Sequence, residues 1–393
     1  MTLRRLGPLV MVSLAFVLVA CGPDQGAPGR QPSPDQPSAD QPSGDREDVP
    51  SALDNPADPA FPAPLIDLDH LVSGGPPPDG IPPIDHPKFQ PAAAVDWLAE
   101  TDPVLSLTVG AESRAYPLEV MTWHEIVNDA VGGTPVAVTY CPLCNSGVAF
   151  EREVEGRLLD FGTSGLLYAD NLVMYDRQTE SLWPQLTGQA SVGALTGTRL
   201  EAIPMGVVGW EQFRTAHPDA LVLSRDTGFD RAYGRNPYVG YDEPDGRLLV
   251  EPPGGTDDRL PVKARVIGIR IGADALAVSR DRVAEAGVIQ VRVGGRDLVI
   301  LHAPGQASAL DTEEISDGQE IGSAGVFEPR AGGRRLTFQR LGQVFVDRQT
   351  GSRWNVLGES TAGPLKGARL PAQPHLDTFW FAWVAFQPHT RLE

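Results

Sequence analysis

Residues 176–183 read Asp-Arg-Gln-Thr-Glu-Ser-Leu-Trp, and residues 347–354 read Asp-Arg-Gln-Thr-Gly-Ser-Arg-Trp, a match at six of eight positions. The correspondence continues downstream. Leu195, Gly197, Arg199, Leu200, Pro204, Trp210 and Pro218 align with Leu365, Gly367, Arg369, Leu370, Pro374, Trp380 and Pro388. Upstream, Val131-Gly132-Gly133 aligns with Val293-Gly294-Gly295. A chain of 393 residues is too long for one ordinary core. The repeat therefore predicts two related domains in tandem, with a period far too long for a solenoid. The copies differ at one informative place. Copy one carries Cys141-Pro142-Leu143-Cys144 after a strand-like run, and copy two carries Ala303-Pro304-Gly305-Gln306. The proline stays and both thiols are absent, so the fold does not need the thiols twice.

The N-terminus reads as an export signal. Arg4 and Arg5 precede an apolar run from Leu6 to Ala20, too short for a membrane span. Leu18-Val19-Ala20-Cys21 resembles the lipobox of bacterial lipoproteins, which implies cleavage after residue 20 and lipidation of Cys21. Acyl chains on Cys21 and a Pro-rich tether would anchor the chain to a membrane on its extracytoplasmic side. Cleavage removes two of 32 basic residues, leaving 30 against 51 acidic ones. That balance disfavours nucleic acid and anionic lipid surfaces as partners. With Cys21 lipidated, Cys141 and Cys144 are the remaining thiols. In an oxidising envelope they are expected to be disulfide-bonded, metal-bound or redox-active.

Composition divides the chain further. Residues 21–62 are rich in Pro, Asp and Ser and read as a disordered linker. Residues 63–100 are transitional, 101–224 form the N-terminal repeat domain, 225–261 connect the repeats, and 262–393 form the C-terminal one. Val104–Val109 and Ser113–Pro117 predict a hairpin around Gly110. Leu118–Asp129 predicts an amphipathic helix ended by Gly132-Gly133, and Val136–Tyr140 a strand leading into the Cys pair. Further hairpins are predicted around Glu155-Gly156 and across Leu172–Leu186. A helix over Trp210–His217 and a strand over Ala220–Ser224 complete the domain. The sum is a β-rich α+β class: two homologous tandem domains of short antiparallel strands with a few helices.

Four segments in order carry a family resemblance. They are Met121-Thr-Trp-His-Glu-Ile-Val-Asn-Asp129, Val138-Thr-Tyr-Cys-Pro-Leu-Cys144, Phe161-Gly-Thr-Ser-Gly-Leu-Leu-Tyr168 and Met174-Tyr-Asp-Arg-Gln-Thr179, with Asp377-Thr-Phe-Trp-Phe-Ala-Trp383 near the end. Together they resemble the uncharacterised prokaryotic family called domain of unknown function 3179. The resemblance implies an envelope location and brings no activity, so catalytic residues, substrate and protein or small-molecule partner stay unknown.

Two thiolates at this spacing can grip one soft ion or close one disulfide. The leading expectation is a soft-metal site of Cys141, Cys144 and His124, with copper favoured and zinc possible, for metal handling or metal-dependent redox chemistry. A closed zinc site needs four ligands, whereas an incomplete N/S site suits copper or an open zinc site; Met121 and Met174 are further soft donors for Cu(I). The grouping rests on co-absence, because copy two has Ala286 where copy one has His124. Two alternatives stand beside it. One is a thiol–disulfide oxidoreductase. The other is a non-catalytic envelope binding module whose disulfide pins a turn. Phe161–Gly165 reads as a Gly-flanked turn and not as a G-x-S-x-G nucleophile elbow. Asp176 and Arg177 read as a pair bracing a hairpin, and Trp183 and Trp354 as core aromatics.

Overall fold

The computed structural model describes residues 47, 49–342 and 344–393. The expected signal segment, the lipidation site Cys21 and most of the expected linker lie outside the described residues. The packed chain begins before position 62, where the tether was expected to end. Ala52 is fully buried, and Leu53 and Phe61 pack against Val173 and Leu182. These few apolar side chains sit within a Pro- and Asp-rich composition that conceals them.

Each copy builds the same arrangement of small sheets. In copy one, Pro103–Val109 and Glu112–Pro117 form a hairpin, the helix Leu118–His124 follows, and Ile126–Val131 pairs with Thr134–Cys141. In copy two the corresponding elements are Arg265–Ile271, Asp274–Ser279, Arg280–Ala286, Val288–Val293 and Arg296–Ala303. The first hairpin gains an antiparallel neighbour in each copy, Met205–Gly209 or Leu376–Phe379. It also gains a parallel one, Leu221–Leu223 or Arg391–Leu392. A third sheet holds Phe161–Tyr168, Asn171–Asp176 and Leu182–Pro184 in copy one, and Phe338–Leu341, Val344–Asp347 and Arg353–Trp354 in copy two. The fold is the β-rich α+β class of short antiparallel strands with four short helices among the described residues. Residues 63–100 supply edge strands. Leu71–Ser73 pairs with Phe161–Tyr168, and Phe89–Pro91 pairs with Leu221–Leu223.

Three local expectations change. The helix stops at His124, and Ile126–Val131 is a strand. Glu125 takes φ 59°, ψ −33°, which breaks the helical path and hands the β-branched Ile126 and Val127 to a ladder where such residues pack well. Phe161–Gly165 lies within a strand whose register slips between Thr163 and Leu166, so Gly165 serves a bulge and not a turn. A Cβ on Gly165, at φ 74°, would overlap the Pro76 carbonyl.

The third change concerns Asp176. It does not brace Arg177, which pairs instead with Asp79 at 3.3 Å and Asp85 at 2.9 Å. Its carboxylate accepts from the Thr179 N–H at 2.7 Å, the Thr179 hydroxyl at 2.8 Å and the Trp183 indole at 2.9 Å. Asp347 repeats this with Thr350 and Trp354. Both tryptophans are fully buried, and each indole N–H requires an acceptor. Asp176→Ala and Asp347→Ala each strand these donors, so each is expected to cost about 2 kcal/mol in denaturant unfolding. Equal midpoints for wild type and variants would contradict this role.

The copies pack into one body. Leu143, Cys144 and Val148 share a core with Phe379, Phe381 and Ala382 of copy two. The Thr378 hydroxyl donates to the Cys144 carbonyl at 2.8 Å, and the Gln212 side-chain amide donates to the Pro304 carbonyl at 2.7 Å.

Candidate dithiol site

The Cys pair sits in a strand–turn–strand. Thr134–Cys141 ends at Cys141, Pro142–Cys144 makes one 3-10 turn, and Ser146–Glu151 returns with Ser146 opposite Cys141. Pro142 suits the first position of the turn. Asn145 closes it in the left-handed region at φ 51°, ψ 47°, a conformation asparagine tolerates well among non-glycine residues.

A wholly buried polar shell fixes this turn. The Gln185 side-chain N–H donates to the Thr139 hydroxyl at 3.0 Å and the Ser146 carbonyl at 3.1 Å. Its oxygen accepts from the Ser146 hydroxyl and from Asn171 Nδ2, both at 3.1 Å. Satisfied networks of this kind specify one geometry. Thr139 lies in the segment that leads into the Cys pair, while Ser146, Asn171 and Gln185 bear no motif. They become legible only once the strands are placed.

The two sulfurs are adjacent, unbonded and at most 1% exposed, and their surroundings differ. Cys141 Sγ accepts from the Leu172 N–H at 3.4 Å. Burial pushes its thiol up. Hydrogen bonds from the Cys144 thiol, the Leu172 N–H and the Cys144 N–H outweigh that and hold it below the usual thiol range. The Asp170 carbonyl lies 3.3 Å from Cys144 Sγ and 3.8 Å from Cys141 Sγ, and the Cys144 sulfur accepts from Asn171 Nδ2 at 3.4 Å. Burial and then the neighbouring Cys141 push the Cys144 thiol well up.

The connection between the copies covers the pair. The Asp170 carboxylate accepts from the Tyr241 hydroxyl at 3.2 Å, the Leu249 N–H at 2.8 Å and the Val250 N–H at 2.7 Å. Asp170 thus ties the strap down through its side chain while its backbone carbonyl faces both sulfurs.

Structure places the three expected metal ligands in two groups. Cys141 and Cys144 are together. His124 bonds through Nδ1 to the Pro82 carbonyl at 2.7 Å and through Nε2 to the Tyr233 hydroxyl at 2.6 Å. Both ring nitrogens are therefore occupied. Burial, with Arg231 adding to it, pushes this imidazole down to about 4 against the Pro82 bond, so it is neutral at pH 7. Met121 and Met174 are buried in two different hydrophobic clusters. Among the described residues no group of three or more His, Cys, Asp and Glu side chains could hold a metal ion.

A buried carboxyl near enough to feel the charge of Cys141 is that of Glu125. It is 7% exposed, and its carbonyl accepts from the N–H of Tyr140, the neighbour of Cys141, at 2.8 Å. Burial first, and the charge of Cys141 second, raise its carboxyl well above the usual range. Its counterpart in copy two is Gly287, at φ 68°, ψ −28°. The fold thus takes glycine at this backbone geometry, and copy one places a buried glutamate there. A raised carboxyl pKa contributes stability that is full below the unfolded value and lost as pH rises through the folded value. Glu125→Gly removes that loss and the left-handed strain together. It is expected to gain about 1–2 kcal/mol at neutral pH, with the gain shrinking in acid. Denaturant titrations at the two pH values check this, and a loss of stability at neutral pH would contradict it.

No helix among the described residues is long and apolar enough to cross a membrane. Neither a curated protein nor a solved structure matches the chain. One family profile does, that of "Protein of unknown function (DUF3179)", over residues 78–390. That span takes in the Cys turn, its buried shell, the strap and nearly all of the second copy, and the chain belongs to this family.

Proposed function

We propose that Cys141 and Cys144 form a dithiol–disulfide redox centre in a lipid-anchored protein facing the extracytoplasmic side. The carrying observation is the asymmetry of the two sulfurs. Donors from Leu172 and from Cys144 itself favour a thiolate on Cys141, whereas burial and the adjacent Cys141 hold the proton on Cys144. Exchange needs one nucleophilic sulfur and one that attacks second.

In the oxidising direction the Cys141 thiolate attacks one sulfur of a partner disulfide and expels the other as a thiolate. Cys144 then loses its proton and attacks Cys141. The Cys141–Cys144 bond forms, the bond to the partner breaks, and the partner leaves as a dithiol with two electrons from the pair. The reverse sequence reduces Cys141–Cys144. Because both sulfurs are buried, exchange requires residues 225–261 to move off the turn, and the Asp170 carboxylate is the contact to be released. Loss of Cys141, Cys144 and Glu125 together from copy two leaves that copy a structural partner. Leu18-Val19-Ala20-Cys21 supports the anchored location.

Copper or zinc binding stands second, because His124 spends both ring nitrogens elsewhere. The deciding experiment is metal content and thiol count on the mature chain purified without chelators. The redox reading expects a negligible metal content, two thiols after reduction and none after mild oxidation, with the fold retained. Near one copper or zinc per chain, lost in Cys141→Ser, would replace it with the metal reading.

A further inference from the structure

We infer that the cleft between the two copies binds an organic anion with an apolar body, its charged end held by Arg199 and Arg270. The cleft encloses about 890 Å³ and is walled by Val148 and Phe150 from copy one and Trp383 and Phe386 from copy two. Ligand pockets fall at about 300–1,000 Å³ and combine apolar walls with a few polar groups.

Both arginines line this cleft, one from each copy. Among the described residues neither makes an ion pair. Arg199 donates to the Gln189 side-chain oxygen at 2.6 Å, a neutral partner. Burial and the charge of Arg270 both lower the Arg199 guanidinium pKa, as expected for two like charges that an anion would relieve.

The repeat supplies an internal control. The bridge Gln189–Arg199 of copy one is matched in copy two by the bridge Glu359–Arg369. There the Arg369 guanidinium pairs with the Glu359 carboxylate at 2.9 Å. Copy one has the amide where copy two has the acid, so the same fold position is neutralised in one copy and left cationic in the other. The uncompensated arginine is the one that faces the large cleft. Glu153, Glu155 and Glu201 also line it without pairing with either arginine. Arg199 and Arg270 are the lining cations, and Val148, Phe150, Trp383 and Phe386 are left for the body of the ligand. A free inorganic anion would satisfy the arginines and leave those walls wet, which is why an amphiphilic carboxylate fits better.

The test is calorimetric titration of the full mature chain with octanoate, with octanol as the neutral match and inorganic phosphate as the bare anion. Octanoate is expected to bind at least about tenfold more tightly than octanol or phosphate. Arg270→Gln, a change at an exposed side chain, is expected to weaken octanoate about tenfold, whereas Arg369→Gln leaves it unchanged. Absence of octanoate binding overturns the inference. So does equal affinity for octanoate and octanol, or phosphate binding as tight as octanoate. Insensitivity to Arg270→Gln in a folded variant does the same. None of these outcomes bears on the thiols, whose oxidation is measured separately.

Discussion

Cys144→Ser is expected to trap the protein as a mixed disulfide on Cys141, and Cys141→Ser to abolish exchange altogether. The difference follows from the two environments. Cys141 is the sulfur held below the usual thiol range, and it accepts from the Leu172 N–H, so it forms the first bond to a disulfide. Cys144 is held protonated by burial and by the adjacent Cys141, so it acts second, on the sulfur already bound. Without Cys144 the first bond forms and cannot be resolved. Serine in its place keeps a hydroxyl for the Asp170 carbonyl, so the fold should persist. Intact-mass measurement after incubation with oxidised glutathione distinguishes the variants. Cys144→Ser should carry one glutathione and Cys141→Ser none. Equal adducts on both would remove the assigned order of attack.

Gly209→Ala is expected to destabilise the protein by about 3 kcal/mol or more, the upper range for forced overpacking. Gly209 begins the helix Trp210–Ala216 at φ −68°, a conformation open to any residue, so the cost is steric and not conformational. An added Cβ would overlap the backbone carbonyl of Gly305 in copy two, and backbone on both sides leaves little room to yield. The Gly209 N–H also donates to the Ser323 hydroxyl across the junction at 3.1 Å. Gly206 lies on the preceding strand, and its added methyl would meet only the Ala324 carbonyl at 3.8 Å. Gly206→Ala should therefore change stability by less than about 0.5 kcal/mol. Urea midpoints for the pair measure how tightly the copies are locked. Equal midpoints would contradict close backbone packing between them.

The repeat was legible because side-chain hydrogen bonding constrains it. Asp, Thr and Trp recur at fixed spacing since Asp176 and Asp347 each tie a turn to a buried indole. Hairpins bounded by Gly and the short helix near Trp210 follow from local chemistry, and the sequence places them well. The helix expected over Leu118–Asp129 overruns because glutamate is a good helix former and nothing local announces that Glu125 adopts a positive φ. The Cys turn was visible as a motif, but its shell was not. Glu125, Asp170, Asn171, Gln185 and Thr378 come from four separate stretches of chain and carry no spacing signature. One signal was present in the alignment: where copy one has His124-Glu125, copy two has Ala286-Gly287. The co-absence that grouped His124 with the thiols fits Glu125 equally well, and only the fold distinguishes the two. The Pro82 carbonyl and the Tyr233 hydroxyl occupy the imidazole, while the buried Glu125 carboxyl feels the charge of Cys141.

The most direct test is an equilibrium titration of the mature chain in glutathione buffers of graded potential, with the Cys141–Cys144 redox state read by alkylation and mass. A redox centre predicts one reversible two-electron transition, at a potential within the range of known dithiol proteins, roughly −270 to −120 mV. A pair that stays fully oxidised or fully reduced across that range, or that oxidises only with loss of the fold, would contradict the account.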